Sequence, residues 1–284
     1  MPPGRTFSLS LPPFTKAVKW LVLINAGMLL LLTLLQAVDL ELGRLVSTAL
    51  SLVPYLVLHG WVFQLVTYSF LHQGFWHLAG NMLGLWMFGS QIESDWGIKR
   101  FLEFYFFCVV GAALTNIAVS YTGFGGVTPM TSTVGASGGI FGILIAFGML
   151  YGDREVFLFP IPFSMRAKYL VAGYVLLTLV SAISAGTPGH GENVAYFAHL
   201  GGLLFGFIYV KFMPRKGIAY GASESYFGVR NSYYRWKRRR AARKFEVYMR
   251  KQHNREVTFD EHGNYVPPDD VDKKNGGSKS GWVN

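Results

Sequence analysis

Apolar residues run through this chain in long stretches, and charges gather between them and toward the C-terminal end. Six windows of roughly twenty mostly apolar residues stand out, near 17–38, 73–92, 101–121, 134–151, 167–185 and 194–213. A helix rising ~1.5 Å per residue crosses a hydrocarbon core of about 30 Å in such a length. The pattern predicts an all-α membrane protein, a six-transmembrane-helix bundle. The third window contains Asn116, and the fourth and sixth are rich in glycine, as closely packed membrane helices often are.

Of the 284 residues, 51% are hydrophobic and only 15% charged, too few charges to cover a soluble surface. Basic residues set a direction. Counted loop by loop, 25 of the 26 Lys and Arg fall on one side. They are Arg5, Lys16 and Lys19, then Lys99 and Arg100, then Arg154, Arg166 and Lys168, and seventeen from Lys211 onward. Only Arg44 falls on the other. The positive-inside rule then predicts both termini cytoplasmic, and it accounts for the net charge of +10 without a nucleic acid partner. Three regions follow: a short cytoplasmic segment 1–16, a six-span domain 17–213, and a basic, largely disordered cytoplasmic tail 214–284. The cluster Arg235–Lys244 reads as a topology anchor touching anionic lipid. The outer loop ~39–72 is unusually apolar, as a segment lying in the membrane interface would be. The single cysteine, Cys108, excludes an internal disulfide. The N-terminus shows neither a removable signal peptide nor a transit peptide.

Spans 2, 4 and 6 run in the same direction, and each carries its polar residues near its outer end. Span 2 brings His72, His77 and Asn81, span 4 brings Ser137, and span 6 brings His199. An intramembrane imidazole is a functional residue by default, and a serine in reach of a histidine is a minimal activated nucleophile. His77 and Asn81 are four apart and share a helix face. Ser137 is expected about one turn into its helix, shallow enough for water to reach. Glycines flank both key residues: Gly135, Gly138, Gly139 and Gly142 in span 4, Gly202 and Gly206 in span 6. Small residues let two backbones approach, which would bring Ser137 Oγ within reach of His199. The nucleophile is then Ser137 and its base His199. The oxyanion falls to the Ser137 N–H, Asn81 and His77. Glu192 is the only carboxylate near His199 in sequence, so a dyad is expected rather than a triad. There is no His-Glu-x-x-His, and neither a metal nor a cofactor is expected.

On these residues the chain resembles the rhomboid family of intramembrane serine proteases. The resemblance covers about 17–213 and rests on His72-x4-His77-x3-Asn81, Gly135-x-Ser137-Gly138 and Ala198-His199-x2-Gly202-x3-Gly206. It implies a six-helix bundle with a water-filled cavity open to the outer face, and substrates that are single-pass transmembrane proteins cut near that face. It places the dyad on Ser137 and His199, with Phe141 stacking on the histidine. Gly135, Gly138 and His72 join His77 and Asn81 around the oxyanion and substrate. Two positions depart from the family pattern: Phe63-Gln64 stands where many members have Trp-Arg, and Phe141 lacks a hydroxyl. Glu93, at the inner end of span 2, is expected to pair with nearby basic groups. Span 5 and the loop 186–193, pliable through Gly186, Gly189 and Gly191, are expected to gate substrate entry. The six-span form resembles prokaryotic members and points to a bacterial cytoplasmic membrane. A non-catalytic relative that binds membrane segments is the alternative, although such relatives usually lack the serine or the histidine.

Overall fold

The computed structural model describes residues 12–124, 127–157, 164–184, 195–212, 218–253, 257–260 and 264–266, which fall into two compact units, Met1–Arg215 and Lys216–Asn284. The first unit is helical: α1 Lys16–Val38, α2 Leu40–Leu50, α3 Pro54–Leu58, α4 Gln64–Thr67, α5 Phe75–Gly84, α6 Ser90–Trp96, α7 Ile98–Ser120, α8 Ser137–Tyr151, α9 Ala167–Ser184 and α10 Ala195–Phe212. Helices α5 and α6 form one rod joined by a π-helical turn, Leu85–Gly89. A short hairpin, β1 Glu155–Phe157 with β2 Ser164–Arg166, links α8 to α9. Each expected span falls on a helix, with ends shifted by a few residues. Among the described residues, α1 and α7 are long and apolar enough to cross a membrane, and α8 to α10 hold shorter apolar helices.

The core is apolar, but the helix surfaces are apolar too, and a few polar side chains are buried. Leu30, Leu31 and Leu34 of α1 and Leu176, Leu177 and Ile183 of α9 are exposed, while Asn25, Gln64, Glu93 and Asn116 are buried. Helix α7 lies against both α8 and α10, and glycines set these contacts. A Cβ on Gly139 would meet the Tyr105 ring at 2.5 Å, one on Gly111 would meet Phe205 at 2.1 Å, and one on Gly201 would meet Thr115 at 2.6 Å.

Glu93 differs from its sequence reading. Among the described residues its carboxylate pairs with no basic group. It accepts from the backbone N–H of Ala17 at 2.8 Å and of Val18 at 2.9 Å, and from the Thr15 hydroxyl. The first N–H groups of any helix lack internal partners and carry the positive end of its dipole, so a carboxylate suits them better than any cation nearby.

The second unit also departs from expectation. The basic segment read as part of a largely disordered tail is a helix, α11 Ile218–His253, followed by strands β3 Thr258–Phe259 and β4 Tyr265–Val266, which pair antiparallel. Ala, Arg, Lys, Glu and Met are strong helix formers, and Glu246 pairs with Arg250 one turn on at 3.8 Å. These local preferences outweigh the repulsion among the basic groups. Residues 267–284 lie outside the described residues.

Removing the Glu93 carboxylate leaves buried N–H groups at the start of α1 without partners. Glu93→Ala should cost about 2–4 kcal/mol, seen as a lower unfolding midpoint in detergent, while Glu93→Gln, which still accepts, should cost less. Equal midpoints for all three proteins would remove this role.

Candidate functional site

Ser137 and His199 are brought together. His199 Nε2 lies 2.7 Å from Ser137 Oγ, although 62 residues separate them in sequence. The approach of α8 and α10 makes this possible. A Cβ on Gly202 would lie 2.1 Å from the carbonyl oxygen of Gly138, and one on Gly206 would lie 2.7 Å from Gly142 Cα. The two glycine rows thus let one backbone touch the other, and they set the distance between the serine on one helix and the histidine on the other.

Ser137 does not sit a turn inside its helix. It is the first residue of α8, and Ala136 is the cap. Gly135 causes the difference: its φ of 128° is open to glycine and strained for other residues, and it stops the helix from extending backward. The Ser137 side chain therefore stands at the helix mouth, and its own N–H is among the free donors there.

His199 is held on its ring face and at its edge. Phe141 stacks on it with centroids 4.2 Å apart and planes 11° from parallel, and Tyr196 meets it edge-on at 6.3 Å. Tyr174 of α9 contacts the same Phe141 edge-on at 6.3 Å. Among the described residues no carboxylate hydrogen-bonds His199. Glu192 and the loop 186–193 lie outside the described residues.

His77 comes to the serine from α5. A Cβ on Gly135 would sit 3.0 Å from His77 Nε2 and 3.6 Å from Ser137 Oγ, so only glycine fits between them. The Gln73 N–H donates to His77 Nδ1 at 3.4 Å. With Nδ1 accepting, the ring proton sits on Nε2, the nitrogen beside Gly135. Asn81, one turn further along α5, donates one N–H to the His77 carbonyl at 2.9 Å, which leaves its second N–H for another acceptor. His72 lies before α5 rather than within it. It is buried and meets His77 edge-on with centroids 5.0 Å apart. Gly138 packs under the site, where a Cβ would meet the Tyr68 hydroxyl at 3.1 Å. Among the described residues no group of three His, Cys, Asp or Glu could hold a metal ion.

Several supporting residues take roles that the sequence did not assign to them. Gln64, where the family pattern favours arginine, is fully buried and serves both as acceptor and donor. Its Oε1 accepts from the Val53 N–H at 3.0 Å and its Nε2 donates to the Ala49 carbonyl at 3.0 Å. An arginine can only donate, so the amide does what the guanidinium could not. The segment it holds pairs with the approach to the nucleophile: Leu52 exchanges two backbone hydrogen bonds with Thr133, at 3.0 and 2.9 Å. Asn116 donates to the Thr133 hydroxyl at 3.2 Å, and the Gly135 N–H donates to the Tyr68 carbonyl at 3.0 Å. The loop before α5 is thereby tied to the turn that carries Ser137.

Comparison with known proteins gives the family of the chain. Residues 59–216, more than half of the chain, match the Rhomboid domain family. Rhomboid protein 1, mitochondrial, of Saccharomyces cerevisiae is 31% identical over 143 residues, 50% of this chain and 39% of that protein. Rhomboid protease GluP of Bacillus subtilis is 32% identical over 152 residues, 54% of this chain and 26% of that protein. Rhomboid-like protein 11, chloroplastic, of Arabidopsis thaliana is 28% identical over 198 residues, 67% of this chain and 63% of that protein. The chain thus spans less than two thirds of the length of each of these relatives. Their names place them in different compartments, so the likeness indicates a membrane protein without fixing which membrane.

Two substitutions probe the architecture. Gly202→Ala should push α10 from α8 and lower labelling of Ser137 by a fluorophosphonate more than about tenfold, since overpacking costs roughly 1–3 kcal/mol. Gln64→Leu should lower the unfolding midpoint by the equivalent of about 2–4 kcal/mol, because two buried backbone groups lose partners. Unchanged labelling in the first, or an unchanged midpoint in the second, would contradict the arrangement described.

Proposed function

Because this chain belongs to the rhomboid family, we propose that it is an intramembrane serine endopeptidase working through a Ser137–His199 dyad. The observation that carries the reading is the 2.7 Å contact between His199 Nε2 and Ser137 Oγ. In the proposed reaction, Ser137 Oγ attacks the scissile carbonyl carbon while His199 Nε2 takes its proton. The carbonyl oxygen becomes an oxyanion, held by the Ser137 N–H, the proton on His77 Nε2 and the free N–H of Asn81. His199 then gives its proton to the leaving amine, and the acyl chain stays on Ser137. Water, deprotonated by the same imidazole, completes hydrolysis and frees the serine. Phe141 keeps the ring in one plane through both proton transfers.

The topology belongs to the same proposal. Six helices cross the bilayer, with both termini cytoplasmic and the dyad near the outer face. The exposed apolar helix faces and the one-sided basic residues support it. Substrates are single-pass transmembrane proteins, and the membrane is the bacterial cytoplasmic one. Helix α9 is the proposed gate. Its Tyr174 reaches the ring that stacks on His199, so its displacement would be felt at the dyad.

The test is cleavage of a single-pass reporter by purified protein in detergent, with Ser137→Ala and His199→Ala beside it. Wild-type protein should cleave, and both variants should lose more than about a thousandfold of the rate. A wild type that neither cleaves nor reacts with a fluorophosphonate would point instead to a relative that binds membrane segments without cutting them.

A further inference from the structure

The proposed chemistry uses nothing beyond α10, yet α11 and its hairpin form a compact unit of their own. One side of α11 is occupied. Ala242, Phe245 and Met249 line a shared cavity with Val257, Phe259 and Tyr265 of the hairpin segment. Phe245 meets Phe259 edge-on at 6.3 Å, and Phe259 meets Tyr265 at 6.2 Å. This is the inner side of the unit, and Ala242 is buried there.

The opposite side is different. Trp236, Arg240, Arg243, Val247 and Lys251 recur at helical spacing, offset by two positions from the inner row. At about 100° per residue this offset puts them on the far side of the helix. All five are exposed, Trp236 and Val247 at 54% each. Tyr233 stacks on Trp236 with centroids 6.1 Å apart, and the Arg240 guanidinium lies 5.3 Å over the indole. Glu246 is the only acidic residue between Arg230 and His253, and it is bound to Arg250. The stripe is therefore cationic, with an indole and a phenol at one end and an apolar residue midway.

We propose that this face of α11 binds an anionic lipid surface, the basic groups meeting headgroup phosphates while Trp236, Tyr233 and Val247 enter the interfacial layer. Charge complementarity carries the assignment. A stripe of ~23 Å lying flat keeps each of its charges within a screening length of the surface. Tyr and Trp favour that layer because one end of each ring system is apolar and the other polar. Nucleic acid would use the same charges and is the alternative occupant. Only five residues, 213–217, separate α10 from α11. The inference rests on α10 crossing the bilayer, which delivers α11 to its surface.

The experiment uses the full chain with Val247→Cys carrying an environment-sensitive fluorophore. Buried Cys108 stays unlabelled, and the parent protein serves as the blank. The labelled protein is placed in nanodiscs of phosphatidylcholine alone, or with about one third phosphatidylglycerol. The expected result is a blue shift and several-fold protection from acrylamide in the anionic discs only. High salt should reverse it, and so should Arg243→Glu combined with Lys244→Glu and Lys251→Glu. Equal quenching in both discs would overturn the proposal. Stronger protection by oligouridylate in zwitterionic discs would also overturn it, and would assign the stripe to nucleic acid. Retention of the chain in the discs tests membrane insertion separately, whatever the label reports.

Discussion

Everything in the first unit depends on how closely two backbones can lie side by side. Helices α8 and α10 touch through Gly138, Gly142, Gly202 and Gly206, at distances that leave no room for a methyl group. In hydrocarbon this contact receives little help from the hydrophobic effect, because lipid tails are as apolar as leucine. Fit and hydrogen bonding must hold it. The separation of the serine from the imidazole follows directly from that fit.

A few buried polar groups tie the apolar core together. Gln64 joins two turns of loop through one amide, and Glu93 closes the start of α1. Asn116 holds the strand-like approach to Ser137. Each acts where the dielectric is low and an unmet backbone group is expensive. Removing one such group therefore costs more than its single contact suggests. Meanwhile the exposed leucines of α1 and α9 contribute little to the fold until lipid surrounds them.

Much of this was readable from the residues in order. Hydropathy located every long helix of the first unit, because twenty apolar residues in a row have few other uses. The glycine spacing foretold the meeting of α8 and α10, and the polar residues at the outer ends named Ser137, His77 and His199. What could not be read depended on backbone detail or on distant partners. Gly135 was read as a packing glycine and as a neighbour of the oxyanion, and its positive φ, which moves Ser137 to the helix mouth, has no signature in composition. Glu93 seemed suited to a cation because its true partners, the N–H groups of Ala17 and Val18, are invisible as letters. Gln64 read as a missing arginine, since an amide that accepts and donates at once is recognised only from both ends. In the tail, charge density suggested disorder, while local propensity favours a helix.

The π turn at Leu85–Gly89 has a geometric effect on the rod formed by α5 and α6. His77 and Glu93 are sixteen residues apart, and in an unbroken α-helix they would point about 160° away from each other. One of the two would then face hydrocarbon. A π turn takes up one extra residue and rotates everything beyond it by about 100°, leaving the pair some 60° apart. A single irregularity in winding thus acts as a phase correction. It lets one rod aim an imidazole near one end and a carboxylate near the other toward the same protein interior.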